Sequence, residues 1–300
     1  MIKSKSAIRA SIIANFVLII FALFAVLPFI LLIISSLTDN QVAMVEGYSF
    51  FPSKLSLSAY KYLLDQWQMI GRGYFMTILV TVLGTTLSIV ITSSFAYALS
   101  VPGLPGRQIL MMMVIISMLF NGGIVASYYV YANFIHIKDT IWALIVPGFL
   151  MSAFNVILIR NYYINNISGE ILESARLDGA GEILIFLRIV VPLSVPIYAT
   201  IGLMSAVGYW NEWTNGLYYL TQRGGSHLYT IQIILNQINE NVNFMATNAA
   251  QLGITVDQSK MPTTTIRMAI AVVAILPIVV SFPFFQKYFV KGISIGGVKG

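Results

Sequence analysis

Residues 12–37 read IIANFVLIIFALFAVLPFILLIISSL, a run without one charged side chain. At 1.5 Å per residue, about 20 apolar residues cross a hydrocarbon core of roughly 30 Å, so this stretch predicts a membrane-spanning helix. Lys3, Lys5 and Arg9 precede it, as basic residues precede the apolar part of a secretory leader. The run is too long for a cleaved leader, whose apolar part is about 7–15 residues. It reads instead as an uncleaved first span with its basic end in the cytoplasm. Pro28 inside it predicts a bend rather than an end, because neighbouring helices in a membrane repair the lost hydrogen bond.

The same length test, carried outward, marks five further spans at 74–100, 107–131, 140–160, 192–220 and 264–289. Pro192 and Pro196 open the fifth and Pro277 and Pro283 interrupt the sixth, again as bends. Composition agrees. The chain is 58% hydrophobic and 9% charged, where a soluble domain carries about 25% charged residues. So few charges cannot cover a water-facing surface, which sets aside a soluble enzyme, a disordered chain and a nucleic-acid-binding domain. The net charge of +6 comes from 17 Lys+Arg against 11 Asp+Glu, scattered without a basic stripe, so no nucleic-acid partner is expected. With no cysteine, disulfides, thiolate catalysis and Cys-ligated metals are excluded. His136 and His227 stand alone in loops, and Met111 to Met113 read as helix packing, so no metal site is assigned.

Six spans return the C-terminus to the side of the N-terminus. That count places Lys3, Lys5, Arg9, Arg107, Arg160, Arg176, Arg188, Lys287, Lys291 and Lys299 inside. Lys54, Lys61, Arg72, Lys138, Arg223, Lys260 and Arg267 fall outside, fewer in longer loops, so both termini are predicted cytoplasmic. The expected fold is all-α and integral to the membrane, one domain over 1–300. Inside, VPGLPG at 101–106 forms a tight turn, and 161–191 is the one substantial cytoplasmic segment, with the densest charge. Outside, 38–73 and the Asn/Gln-rich 221–263 form long loops. The second is open to two readings, a solvated loop or a contact for another protein.

Within the cytoplasmic segment, 168–190 predicts a helix, a break and a second helix. Ser168 suits an N-cap, and Glu170 and Glu173 sit where the helix dipole favours acids. Ala175 and Gly179, four apart, share a face with little side chain, which another protein could approach closely. Residues 173–192 read ESARLDGAGEILIFLRIVVP. This pattern resembles the cytoplasmic-loop signature of ABC importer permeases: EAA, three residues, G, nine residues, I, one residue, LP. The spacing from Glu173 through Gly179 and Ile189 to Pro192 fits without a gap, with Ser174 for the middle Ala and Val191 for Leu. The six-span plan, WNEW at 210–213 and the FVKGISIGGVKG tail are similar to the maltose-type sugar permeases, within them to the subgroup handling oligosaccharides or polysaccharide fragments.

The resemblance implies a bacterial inner-membrane subunit that pairs with a second permease chain. Two ATPase subunits would bind the ATP and Mg, and an extracellular binding protein would deliver the carbohydrate. Glu173, Ser174, Ala175, Asp178 and Gly179 would belong to the element that docks on the ATPase, and Gly296, Gly297 and Lys299 in the tail would reach it too. The chain has no GxxxxGK[ST] phosphate loop, so it is expected neither to bind ATP nor to be an enzyme.

A carboxylate at membrane depth costs about 2.5–3.5 kcal/mol on insertion scales, so Glu212 should face a cavity or a partner. With Trp210, Asn211 and Trp213 it suits either sugar recognition or an interfacial aromatic belt in contact with another subunit. Asn121 and Tyr128 in the third span and Asn155 in the fourth are open to the same alternatives, lining a pathway or packing helices. An ion-coupled secondary carrier is the alternative function. It needs proton-carrying carboxylates in the spans, and Glu212 is the only one within the six stretches.

Overall fold

The computed structural model describes residues 5–248 and 263–296. Its helices follow in chain order as α1 (Lys5–Ser36), α2 (Asn40–Val45), α3 (Ser58–Asp65), α4 (Trp67–Ser100), α5 (Arg107–Leu119), α6 (Gly123–Tyr129), α7 (Trp142–Ile145), α8 (Ala153–Asn166), α9 (Gly169–Leu177) and α10 (Glu182–Ile185). Then come α11 (Val191–Leu193), α12 (Val195–Asn211), α13 (Thr214–Tyr219), α14 (Ile231–Asn248) and α15 (Thr263–Gly296). Among the described residues the only β pairing is an isolated bridge between Thr38 and Leu55. The structure is all-helical.

Among the described residues, two helices are long and apolar enough to cross a membrane unaided, Ser11–Ser36 within α1 and Trp67–Ser100. The first and second spans were thus legible as single helices. The third, fourth and fifth stretches are built in pieces, whereas the sixth lies within the single helix α15. The 107–131 stretch divides at residues 120–122, where the Asn121 Oδ1 accepts the Gly123 N–H at 2.9 Å and starts α6. The 140–160 stretch is a short α7, a turn carrying Pro147 and Gly148, and an α8 that runs on to Asn166. At the start of the fifth, Glu182–Leu193 meets Val195–Asn211 at a bend of 79°, with Pro192 in the short α11 before the bend and Pro196 in the first turn of the 17-residue α12 after it. Proline lacks the amide that an unbroken helix would need there. Pro28, Pro277 and Pro283 lie inside helices.

The 221–263 segment differs most from expectation. Where a loop is expected, the chain forms the 18-residue α14, while 249–262 lie outside the described residues. Ile231, Ile234, Leu235 and Ile238 recur at helical spacing beneath the Asn and Gln residues that dominate its composition.

The chain packs as two compact units. One comprises residues 1–68 and 237–277. There, Ser36 Oγ and Tyr60 Oη lie 2.7 Å apart, Asp39 caps α2 through the Gln41 N–H, and Asn40 Oδ1 accepts the Thr264 N–H at 3.2 Å. The flank of α1 from Ile12 to Phe29 is exposed. In a membrane subunit such a flank meets lipid or another chain.

The second unit comprises residues 69–236 and 278–300, and α4 supplies its spine. Small residues on α4 admit close neighbours, as in membrane helix packing generally. The ring of Tyr209 lies over Gly84, so close that a Cβ there would stand 2.5 Å from it. Ile231 and Ile234 of α14 rest over Gly73 in the same way, and the Ile231 N–H donates to Thr77 Oγ1 at 2.8 Å. Two apolar cores line this spine. Met76, Val80, Leu144, Ile145, Tyr209, Tyr219 and Ile233 build one, and Ala96, Tyr97, Leu99, Val156, Ile159, Tyr163, Ile185 and Ile201 build the other.

Candidate functional site: the 168–193 segment and the end of α12

The segment predicted to be helix, break and helix has that form. Ser168 occupies the N-cap of α9 with extended φ and ψ, although its side chain makes no capping bond, and Glu170 lies in the first turn. The helix closes through a paired reversal. The Gly179 N–H donates to the Arg176 carbonyl and the Ala180 N–H to the Ala175 carbonyl, each at 3.0 Å. Gly179 takes φ +82°, a region costly for residues with a Cβ.

That geometry revises how two residues work. Gly179 has open space where a Cβ would be, so glycine serves the backbone reversal rather than a close approach already made. Ala175 packs inward against the second core, so it does not share an outward face with Gly179. Glu173, Ser174 and Asp178 are exposed, as is Leu177 at 89%. Glu173 also borders a cavity of about 180 Å³ with Tyr97, Tyr163, Leu172 and Arg176.

A brace joins this segment to α4. Arg176 Nε donates to Glu182 Oε1 at 2.7 Å, across the Gly179 reversal, and the Tyr97 hydroxyl donates to Glu182 Oε2 at 2.5 Å. The hydrogen bond from Arg176, then that from Tyr97, holds the Glu182 carboxyl below its ordinary range. Sequence reading singled out none of the three for this role. The partners lie 6 and 85 residues apart, and only the shorter interval leaves a local trace.

At the end of α12 the WNEW residues separate. Trp210 is buried, its ring 6.3 Å from that of Tyr74. Asn211 is exposed and donates to the Val207 carbonyl one turn back, and Trp213 is 42% exposed. Glu212 accepts the Asn215 N–H at 2.7 Å, where it caps α13. Its carboxylate therefore serves the helix start, a role not among those foreseen for it. Tyr128 stacks on Tyr219 at 5.6 Å, with Lys138 Nζ 3.3 Å from its hydroxyl. Asn121 turns to its own backbone, and Asn155 is buried in the first turn of α8. Tyr128 and the α12–α13 end are thus linked through the first core, while Asn121 makes no such link.

The sequence pattern of the family described as "Binding-protein-dependent transport system inner membrane component" matches residues 69–295. The chain belongs to this family. It is an inner-membrane permease of the bacterial ABC importers and not itself an enzyme. The permease is 38% identical over 283 residues to the polygalacturonan/rhamnogalacturonan transport system permease protein YtcP of Bacillus subtilis, covering 94% of this chain and 96% of that one. It is 29% identical over 286 residues to the arabinooligosaccharides transport system permease protein AraQ of Halalkalibacterium halodurans, covering 93% of each. Among solved structures it is similar to a chain of a bacterial ABC transporter involved in the import of the acidic polysaccharide alginate. The TM-score is 0.77 at 30% identity, over 96% of this chain and 99% of the other.

A second brace in the permease escaped the sequence entirely. Asp139, at φ +56°, accepts the Thr221 N–H at 2.5 Å and the Thr221 hydroxyl at 2.9 Å, and its own N–H donates to the Tyr219 carbonyl at 3.0 Å. Gly224 and Gly225 approach the same carboxylate so closely that a Cβ on either would stand within 2.7 Å of it. Asp139 thus gathers the turn after α13. Asp139→Ala is expected to cost about 1–3 kcal/mol by stranding the Thr221 donors. Asp139→Asn, which keeps one acceptor, should cost less. Thermal unfolding of the detergent-solubilised subunit measures the difference, and equal midpoints for Ala and wild type would contradict it.

Proposed function

We propose that this permease carries oligosaccharides released from polysaccharides, handed to it by an extracellular binding protein and driven by two partner ATPases through the α9 segment. The names of its relatives and the alginate importer support the substrate class. The observation that carries the coupling role is the exposed α9, closed by the reversal at Gly179 and braced through Glu182 to α4.

In this reading six spans place both termini in the cytoplasm, and a second permease chain completes the pathway. Glu173, Ser174 and Asp178 face the ATPase, Ala175 anchors the helix from within, and Gly179 holds the closure. ATP and Mg belong to the ATPase subunits. Gly296 ends α15 in the tail expected to touch the ATPase, while Gly297 and Lys299 lie outside the described residues. On the substrate side Asn211 and Trp213 offer exposed faces to sugar, whereas Trp210, Glu212 and Tyr128 hold the scaffold behind them.

The test is uptake into proteoliposomes holding the assembled transporter, with ATP inside and the binding protein outside. Galacturonate oligomers, arabino-oligosaccharides and maltodextrins form the panel. ATP-dependent uptake of at least one is expected, and a proton or sodium gradient should not replace ATP. Glu173→Lys should cut ATP-driven uptake about tenfold by reversing the charge on the exposed face of α9, a difference of about 1.4 kcal/mol. Gly179→Leu should act similarly by straining the closure, at about 1–2 kcal/mol. Uptake driven by a gradient alone, or unchanged in both variants, would refute the reading.

A further inference from the structure

Where α4 ends and α5 begins, the turn at 101–106 leaves an open cavity of about 820 Å³. Two guanidinium groups line it, Arg107 from the first residue of α5 and Arg160 from α8. Arg160 Nε donates to the Leu99 carbonyl at 3.0 Å, and its Nη1 to Asn161 Oδ1 at 3.3 Å. These bonds fix the guanidinium at the level of the last turn of α4 and leave others of its five N–H donors unused. Among the described residues neither arginine forms an ion pair; the pairs there are Lys54 with Asp39 and Arg176 with Glu182. Two cations bordering one cavity repel, and an anion between them relieves that repulsion.

Apart from Gln108 and the glycines of the turn, the remaining lining is apolar and directional. Ile109, Met112 and Ile115, three apart on α5, form a stripe leading away from Arg107 along the span. They are 56%, 56% and 45% exposed. An inorganic anion or an acidic side chain would use the arginines and leave this stripe bare. A molecule with a phosphate head and a hydrocarbon tail uses both, and it lies at the depth where span ends meet headgroups.

We infer that the cavity between the 101–106 turn, α5 and α8 is a binding site for one anionic phospholipid. Its phosphate lies between Arg107 and Arg160 and an acyl chain lies along Ile109, Met112 and Ile115. The planar guanidiniums suit bidentate contact with phosphate oxygens, and a basic pocket between membrane helices is the setting in which such headgroups are held.

Native mass spectrometry of the assembled transporter, purified through a tag on this chain, tests the site. Delipidated complex is titrated with phosphatidylglycerol, phosphatidylcholine and glycerol 3-phosphate. One phosphatidylglycerol per copy of this chain is expected to be retained in preference to phosphatidylcholine. Arg107→Gln should weaken its retention about fivefold, the worth of one basic residue near a lipid headgroup. That variant keeps the Arg160–Leu99 bond and so does not depend on the residue that ties two helices. Met112→Asn should weaken phosphatidylglycerol without changing any response to glycerol 3-phosphate. Equal retention by Arg107→Gln and wild type overturns the site. So does full competition by glycerol 3-phosphate, which would make it a soluble-anion site. Release of a protein subunit from the Arg107→Gln complex also overturns it, because the groove would then be a protein interface.

Discussion

Glu182→Lys is expected to reduce binding-protein-stimulated transport about tenfold or more while the transporter still inserts and assembles. Glu182 holds Arg176 at 2.7 Å and Tyr97 at 2.5 Å, so one carboxylate joins the segment proposed for coupling to the second span. A hydrogen bond to a charged group is worth about 1.5–3 kcal/mol, and solvent screening lowers the share of the Arg176 pair, since the Glu182 side chain is 47% exposed. Lysine removes both bonds and sets a like charge against Arg176. Glu182→Gln should fall between, because its amide oxygen still accepts from Tyr97, and Tyr97→Phe isolates that one bond. Basal ATP hydrolysis by the partner subunits should persist in all three. Wild-type stimulation in Glu182→Lys would show that movement does not pass through this brace.

The pH dependence of the brace has a definite sign. The folded carboxyl titrates below its ordinary value of 4.5, so its contribution is complete above that value and is lost only as pH falls through the lower folded one. Between pH 6 and pH 8 the brace should not change.

Gly216→Val should lower the stability of the second unit, and Ile233→Ala should restore much of it. A Cβ at Gly216 would stand 1.8 Å from Ile233 Cδ1 and 2.6 Å from its Cγ1, so α13 packs against the start of α14 only through glycine. Overpacking of this kind costs about 1–3 kcal/mol. A Val that replaces volume removed from Ile233 conserves the total. The thermal midpoint of the double variant should exceed that of Gly216→Val alone, a pairwise coupling that an additive result would refute.

The sequence disclosed most where one signal sufficed. Uninterrupted apolar length found α1 and α4, and the acid-rich first turn and the glycines located α9 and its break. It disclosed less where hydrogen bonding decides. Hydropathy sums apolar residues and ignores where the backbone loses partners, so 140–160 read as one span although Pro147 and Gly148 divide it. Composition hid α14 because Asn and Gln were counted without following the period of Ile231, Ile234, Leu235 and Ile238. Asp139 meets Thr221 across 82 residues, and Tyr97 meets Glu182 across 85, distances at which no local pattern survives. At Ala175 and Gly179 the motif located the element, while the geometry assigned each residue a task different from the one its size suggested.

The position of Gly84 along α4 has a mechanical meaning. The helix runs from Trp67 to Ser100, and the ring of Tyr209 bears on Gly84, close to its middle. At 1.5 Å per residue each arm is about 25 Å long. A tilt of about 10° around that bearing would carry the two ends about 4 Å in opposite directions, with little change at the fulcrum, by the same rise per residue. Tyr97 lies near one end of the beam, and Gly73 and Thr77, under α14, lie toward the other. One rigid helix can therefore turn a push on its Tyr97 end into an opposite displacement beneath α14, with no hinge inside the helix itself.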